Sequence, residues 1–356
     1  MRGCIILSAS AFSACFVYVY IYRSHRLLKT HALANKLPSL VYLYTKYWMR
    51  VLTRKPGILQ ETAVTELEYA VKNCRLERTL FRRFCSAAGY GWDYPDAEFR
   101  DIPLCFPEFL CSKLLLLLLT DENFRLSPAE AHIGNKWGLL RMRQSMQTLQ
   151  PVDELKKGPF SLQARVLGYR QTPAGVEVDI RLSATSRSGS TVWESGLTFL
   201  SESRDLPKSR DQSQQHHAGL LDEQACGNEK QVELQVPRTS GLQGSWSFSR
   251  YSLQQLFSLA ASFLSLSSGT ASSLWMLSVC LAEIEKHKGV EVITSPVRVT
   301  AHFKETLLVP GKVTVRFWEK NENGGRSSGK HLSFCMEQHG GSSPHLIGLI
   351  SRPQCS

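Results

Sequence analysis

The sequence has no Cys-x-x-Cys pair and no Cys/His spacing of a zinc site, although it holds ten cysteines. They are scattered, and several sit in apolar runs, where a free cysteine behaves as a small hydrophobe. That excludes a disulfide scaffold and favours a reducing compartment. There is no P-loop, no dinucleotide fingerprint and no HExxH motif. His216 and His217 adjoin, but neither has an acidic or cysteine partner at ligand spacing. No metal and no cofactor is therefore expected. Acidic residues are the scarcer charge, 31 against 42 Lys and Arg, a net charge of +11. No single basic block gathers that excess, and no finger, RNP or helix-turn-helix signature accompanies it, which argues against nucleic acid. A basic balance also suits an anionic membrane surface or a phosphorylated ligand such as coenzyme A. Two richer basic zones occur, at 23–55 and 75–83.

Long uncharged runs are few. Residues 3–22, GCIILSASAFSACFVYVYIY, lie between Arg2 and Arg23. A helix of about 20 residues spans roughly 30 Å, the hydrocarbon thickness. Tyr18, Tyr20 and Tyr22 suit one interface. The basic stretch that follows, RSHRLLKTHALANK, outweighs Arg2 and predicts a single-pass anchor with the bulk of the chain in the cytosol. The alternative is a cleaved signal peptide. The length of the run and the charge after it favour the anchor. SLVYLYTKYWMRVL then reads as an amphipathic surface helix or an ordinary packed one.

The remainder falls into helix and strand stretches. Residues 60–88 carry apolar residues at helical spacing, closed by Gly89. In DIPLCFPEFLCSKLLLLLLTDENF, Pro107 suits a helix first turn and Leu114 to Leu119 a buried helix, with Lys113 too early for a membrane span. Alternation follows: Val176, Val178, Ile180 and Leu182 share one face, and Pro173-Ala174-Gly175 and Ser188-Gly189 read as turns. Residues 204–231 are polar and Gln-rich, as in a linker. Residues 251–282 carry no charge, but nine serines dilute them. Leu274, Leu277, Leu281 and Ile284 share a helical face, and Glu283, Glu285, Lys286 and Lys288 suggest a solvated end capped by Gly289. Ala271–Lys286 thus reads as a second buried helix; a second membrane span is the rival. Residues 292–318 alternate again, 321–330 suit a hairpin loop, and the terminus supplies closing strands. Helix plus sheet occurs twice, an α+β chain built as a tandem repeat.

The second repeat resembles the MaoC-like, type 2 enoyl-CoA hydratase family. In LFSLAASFLSLSSGTASSLWMLSVCLAE, Trp275, Cys280, Leu281 and Ala282 fall in register with the family's His-Gly-Met-Trp helix ending in Cys-Leu-Ala. In VTAHFKETLLVPGKVTV, Phe303, Lys304, Leu308, Pro310 and Gly311 match its Phe-Lys-x-Pro-x-Leu-Leu-Pro-Gly strand pair. LCFPEFLCSKLLLLLLTDENFRLSPAEAHIGNKW and VWESGLTFL are similar to the first unit of two-unit members. The resemblance covers about 100–200 and 236–352. It implies a tandem (double) hotdog, two antiparallel sheets each wrapping a long helix, able to act as a pseudo-dimer within one chain. The expected divisions are anchor and basic flank 1–35, helical region 36–98, first hotdog 99–203, polar linker 204–235 and second hotdog 236–356.

The family's chemistry needs an Asp and a His on a Gly-Asp-x-Asn-Pro-x-His loop, within hydrogen-bond reach of each other's work. It also needs a backbone N–H at the helix start to polarise the thioester carbonyl. Here the chain runs from Tyr251 to Gln255 without that loop, Gln255 stands at the His position, and Ser272 replaces the later His. No catalytic residue is identified. The resemblance leaves Tyr251, Gln255, Gly269, Ser272 and Trp275 as ligand-binding candidates, joined by His132 and Asn135 of HIGNKW; Glu108 lies on the first helix. Three readings follow: a membrane-anchored binder of acyl-CoA or acyl-lipid with a degenerate site; an active dehydratase or hydratase with a rearranged site; a non-catalytic interaction scaffold.

Overall fold

The structure, a computed structural model, describes residues 66–96, 100–126, 139–202, 229–236, 269–320, 331–341 and 343–352, with residues 38, 42–43, 46, 49–50, 53 and 59 besides. The expected anchor at 3–22 and the stretch 237–268 lie outside the described residues. Among the described residues, no helix is long and apolar enough to cross a membrane.

The first half begins with strand β1 (Glu68–Cys74), helix α1 (Arg78–Ala87) and helix α2 (Phe106–Leu119). Four strands follow: β2 (Leu139–Thr148), β3 (Phe160–Thr172), β4 (Gly175–Thr185) and β5 (Thr191–Glu202). The second half repeats this with β6 (Lys230–Val236), a two-residue β7 (Gly269–Thr270) and helix α3 (Ser273–Lys288). Then come β8 (Val297–Phe303), a two-residue β9 (Leu308–Val309), β10 (Gly311–Lys320), β11 (His331–Gln338) and β12 (Pro344–Ser351).

Ten strands form one antiparallel sheet in the order β1-β3-β4-β5-β2-β8-β12-β11-β10-β6. Each half contributes five, and the order of the second mirrors that of the first. The halves join where β2 pairs β8, from Arg143↔His302 to Thr148↔Val297. Thr148, buried there, accepts from the Val297 amide at 3.1 Å. Alternation explains the strands: Val176, Val178, Ile180 and Leu182 are all buried against the core. Gly175, at the β3–β4 turn, has φ +144, and a Cβ there would lie 2.1 Å from the Ser201 carbonyl oxygen. Only glycine fits that close approach.

Both central helices are buried. The apolar face expected of α2 includes Leu114, Leu117 and Leu118, each 1% exposed or less. α3 starts at Ser273 and ends where Gly289 turns to φ 87, as the cap reading expects. Its far end differs from expectation. Glu283 and Glu285 are buried, and only the side chains after them reach solvent. The segment between α1 and α2 covers that end, which helical periodicity alone does not reveal.

The reading of 60–88 as helix is corrected over 68–74, which form β1. Residues 230–235 of the stretch read as linker belong to β6. β1 and β6 are the two outer strands of the sheet. β1 offers only Tyr69 and Val71 as an inward pair before its bulge, whereas β6 does alternate, with Val232, Leu234 and Val236 inward, but the polar run before it gives the stretch a linker's composition.

Candidate functional site

The seam between the halves gathers the buried polar groups. Glu108 sits in the first turn of α2, just after Pro107. Its carboxylate accepts from Arg141 and from Gln144 Nε2, both at 2.5 Å. Gln144 Nε2 also reaches the Ser195 hydroxyl at 3.2 Å. The Arg141 and Glu108 side chains are only 8% and 5% exposed. A bulge between Arg141 and Arg143 interrupts the β2–β5 register, and both Arg141 and Gln144 reach the helix. The Arg141 guanidinium lies over the rings of Phe199 in β5 and Phe303 in β8, 5.9 and 5.5 Å from their centres. One cation thereby ties first-half and second-half strands together. Arg141 Nε and Gln144 Oε1 have no hydrogen-bond partner among the described residues.

The start of α3 is the place where the resemblance puts thioester chemistry. Ser272 caps the helix, its hydroxyl accepting from the Trp275 amide at 3.4 Å. The Trp275 indole N–H donates to the Ala87 carbonyl at 3.0 Å, at the end of α1. Ser278 donates back to the Leu274 carbonyl at 2.7 Å and also hydrogen-bonds the Cys105 thiol. Burial pushes the Cys105 thiol up to about 12, with the Glu108 charge adding to it. Burial does the same to Cys85. Such thiols stay protonated and are poor nucleophiles.

A cavity of about 210 Å³ opens at the other end of α3. Tyr94, Arg100, Asp101 and Asp153 line it from the first half, and Glu285, Val290, Ile293 and Thr294 from the second. The Tyr94 hydroxyl donates to Glu285 at 2.9 Å, and Arg100 lies over the Tyr94 ring. Asp153 accepts from the Ile102 amide at 2.8 Å and from Lys156 at 2.7 Å. Burial raises the Glu285 carboxyl above its ordinary range, against the opposing pull of Tyr94 and Arg100. Burial, then Asp153, raises Asp101. These carboxyls bind protons more tightly folded than unfolded. The stability they confer is complete below the unfolded values, near 4, and is lost as pH rises through the raised folded values. The melting temperature of Glu285→Gln is expected to fall less steeply than that of the wild type as pH rises above about 4. Equal slopes in the two proteins would remove Glu285 as a source.

Solved structures share this arrangement of helices and sheet. HtdX of Mycobacterium tuberculosis superposes with a TM-score of 0.52 at 15% identity, over 80% of this chain and 98% of that one. A MaoC-like dehydratase from Phytophthora capsici does so with 0.53 at 14% identity, over 87% of this chain and 99% of that one. Another MaoC-like dehydratase gives 0.55 at 12% identity, over 82% and 98%. The chain has the fold of the MaoC-like dehydratases. No family model matches the sequence, and no curated protein is similar to it in sequence.

Within this MaoC-like fold the expected ligand-binding residues divide. Ser272 and Trp275 meet at the start of α3, and Gly269 pairs with Val309 in the short β7–β9 ladder beside it. Tyr251, Gln255, His132 and Asn135 lie outside the described residues. Among the described residues no group of three or more His, Cys, Asp or Glu is placed to hold a metal. Sequence reasoning set Glu108 on its helix but missed its partners. The available signal was weak: one carboxylate in an otherwise apolar first turn, and an Arg and a Gln on a strand of mixed polarity.

Proposed function

We propose that this chain is a membrane-anchored, MaoC-like double hotdog that binds an acyl thioester without hydrating or dehydrating it. The twofold order of strand, helix and four strands supports the double hotdog, and residues 3–22 supply the anchor. One observation carries the loss of chemistry. At the start of α3, Ser272 stands where the resemblance expects a His, and its hydroxyl is engaged in capping the helix through the Trp275 amide. Among the described residues no hydrogen bond joins the Ser272 hydroxyl to a basic side chain, and a hydroxyl without such a partner is unsuited to general acid–base work. The carboxylate on the companion helix, Glu108, is paired with the Arg141 cation, hydrogen-bonded by Gln144 and closed off from solvent.

The test uses the full chain in lipid nanodiscs. Short and long trans-2-enoyl-CoA are offered, and loss of the enoyl chromophore is followed. No turnover above buffer is expected. Acyl-CoA at about 100 times its dissociation constant is expected to stabilise the fold by about 2.7 kcal/mol. Turnover well above buffer favours the rearranged active enzyme instead. A melting temperature unmoved by every acyl-CoA favours the scaffold.

A further inference from the structure

We propose that the outer face of α1, with the strand end before it and the turn after it, docks on an anionic lipid surface. α1 is strongly two-sided. Phe81, Phe84 and Cys85 are buried, while Arg78 and Arg83 are exposed. Lys72 and Arg75, on the approach to the helix, are exposed as well. Lys72, Arg75 and Arg83 have no ion-pair partner among the described residues. Arg78 and Arg82 share the single carboxylate of Asp96. Five cations therefore face three carboxylates across 72–96, the other two being Glu77 and Asp93.

The aromatic neighbour distinguishes this face from an ordinary solvated one. Trp92 is 50% exposed, one of the few large apolar side chains left in water. The turn before it is pinned to the end of α1: the Tyr90 and Gly91 amides both donate to the Cys85 carbonyl, at 2.9 and 3.2 Å. A half-exposed indole in the turn that follows a helix with an exposed basic face suits the headgroup layer, where the ring is partly dehydrated and the cations meet the negative surface potential.

The chain also brings this face to a bilayer. Tyr42 and Leu43 pack on Leu117, with Tyr69 against them. Tyr69 lies in β1, just before Lys72. About 20 residues separate Tyr42 from the end of the proposed anchor at residue 22, a reach of at most about 70 Å. A tether of that length holds the face at high effective concentration over the membrane without forcing contact. The inference rests on the proposed anchor for this tether alone.

The test is hydroxyl-radical footprinting of the full chain on vesicles of phosphatidylcholine, with and without phosphatidylserine. Mass spectrometry reads oxidation at Trp92. Oxidation roughly threefold lower on the anionic vesicles is expected, restored by high salt. The Arg75→Glu/Arg83→Glu variant should lose the protection. Lys304→Glu/Lys312→Glu, the same charge change on exposed second-half positions, should keep it. Equal oxidation on both vesicles, with the chain floating on both, overturns this surface and leaves the anchor standing. Flotation only with phosphatidylserine overturns the anchor and supports the surface. Flotation with neither overturns both.

Discussion

Replacing Arg141 with methionine is expected to cost the fold about 3–5 kcal/mol. The reason is the partner left behind. Glu108 is 4% exposed and spends one oxygen on Arg141 and the other on Gln144. Without the guanidinium, the protein must either hold a carboxylate out of water with a single amide donor or protonate it. Both cost more than the lost contact itself. The substitution also removes a planar cation from between Phe199 and Phe303, where it bridges the two halves. For a chain of this size the melting temperature should drop by about 4–7 °C. The discriminating measurement is a double-mutant cycle. Glu108→Met with Arg141→Met removes both charges, and apolar replacement of a buried pair is often close to neutral. The double variant should therefore melt well above Arg141→Met alone. A double variant as unstable as the sum of its singles would show that packing, not the charge left unpaired, sets the cost.

Gly348→Ala is expected to be nearly as damaging, for a purely steric reason. Gly348 in β12 stands directly opposite Phe334 in β11, and the ring lies across it. A Cβ on Gly348 would sit 2.2, 2.6 and 2.7 Å from three atoms of that ring. Phe334 has no exposed surface, so it has no free direction in which to move. Overpacking of this kind costs about 1–3 kcal/mol, and a fully buried ring places the change at the upper end. Chemical denaturation of the full chain should show a shifted midpoint with an unchanged slope. Phe334→Leu should rescue part of the loss in the double variant, since the two side chains share one space. No rescue would mean that backbone strain, not the ring, is responsible.

Gly348→Ala probes a contact between β11 and β12, outside α3, and therefore separates folding from ligand binding. A Gly348→Ala protein that still folds at low temperature should bind acyl-CoA as the wild type does.

Much of the architecture was legible in the residues themselves. Period-2 runs such as GVEVDIRLSAT marked the inner strands, because one face of each is packed and the other is wet. The uninterrupted apolar stretch of α2 marked a buried helix, and Gly289 marked the end of α3. The repeat of helix and sheet was visible from order alone. The edge strands β1 and β6 were harder to read: most of their side chains lie in water, β1 offers only Tyr69 and Val71 before its bulge, and the alternation of Val232, Leu234 and Val236 in β6 is short and follows a polar run. Glu283 and Glu285 misled for the opposite reason. Charged residues near a helix end ordinarily face solvent, but here the Tyr94 segment hydrogen-bonds Glu285, and Glu283 is buried with Lys286 as its partner.

The local signals, then, determined which stretches become helix or strand, because periodicity and capping are written within a few neighbouring residues. Which half of the sheet meets which, and that Glu108 finds Arg141 and Gln144 more than thirty residues on, only the tertiary structure decided. Pairing β2 with β8 depends on edges that no single stretch encodes. A buried charge is tolerable only when its distant partner arrives, and that is a property of the closed sheet and not of any segment within it.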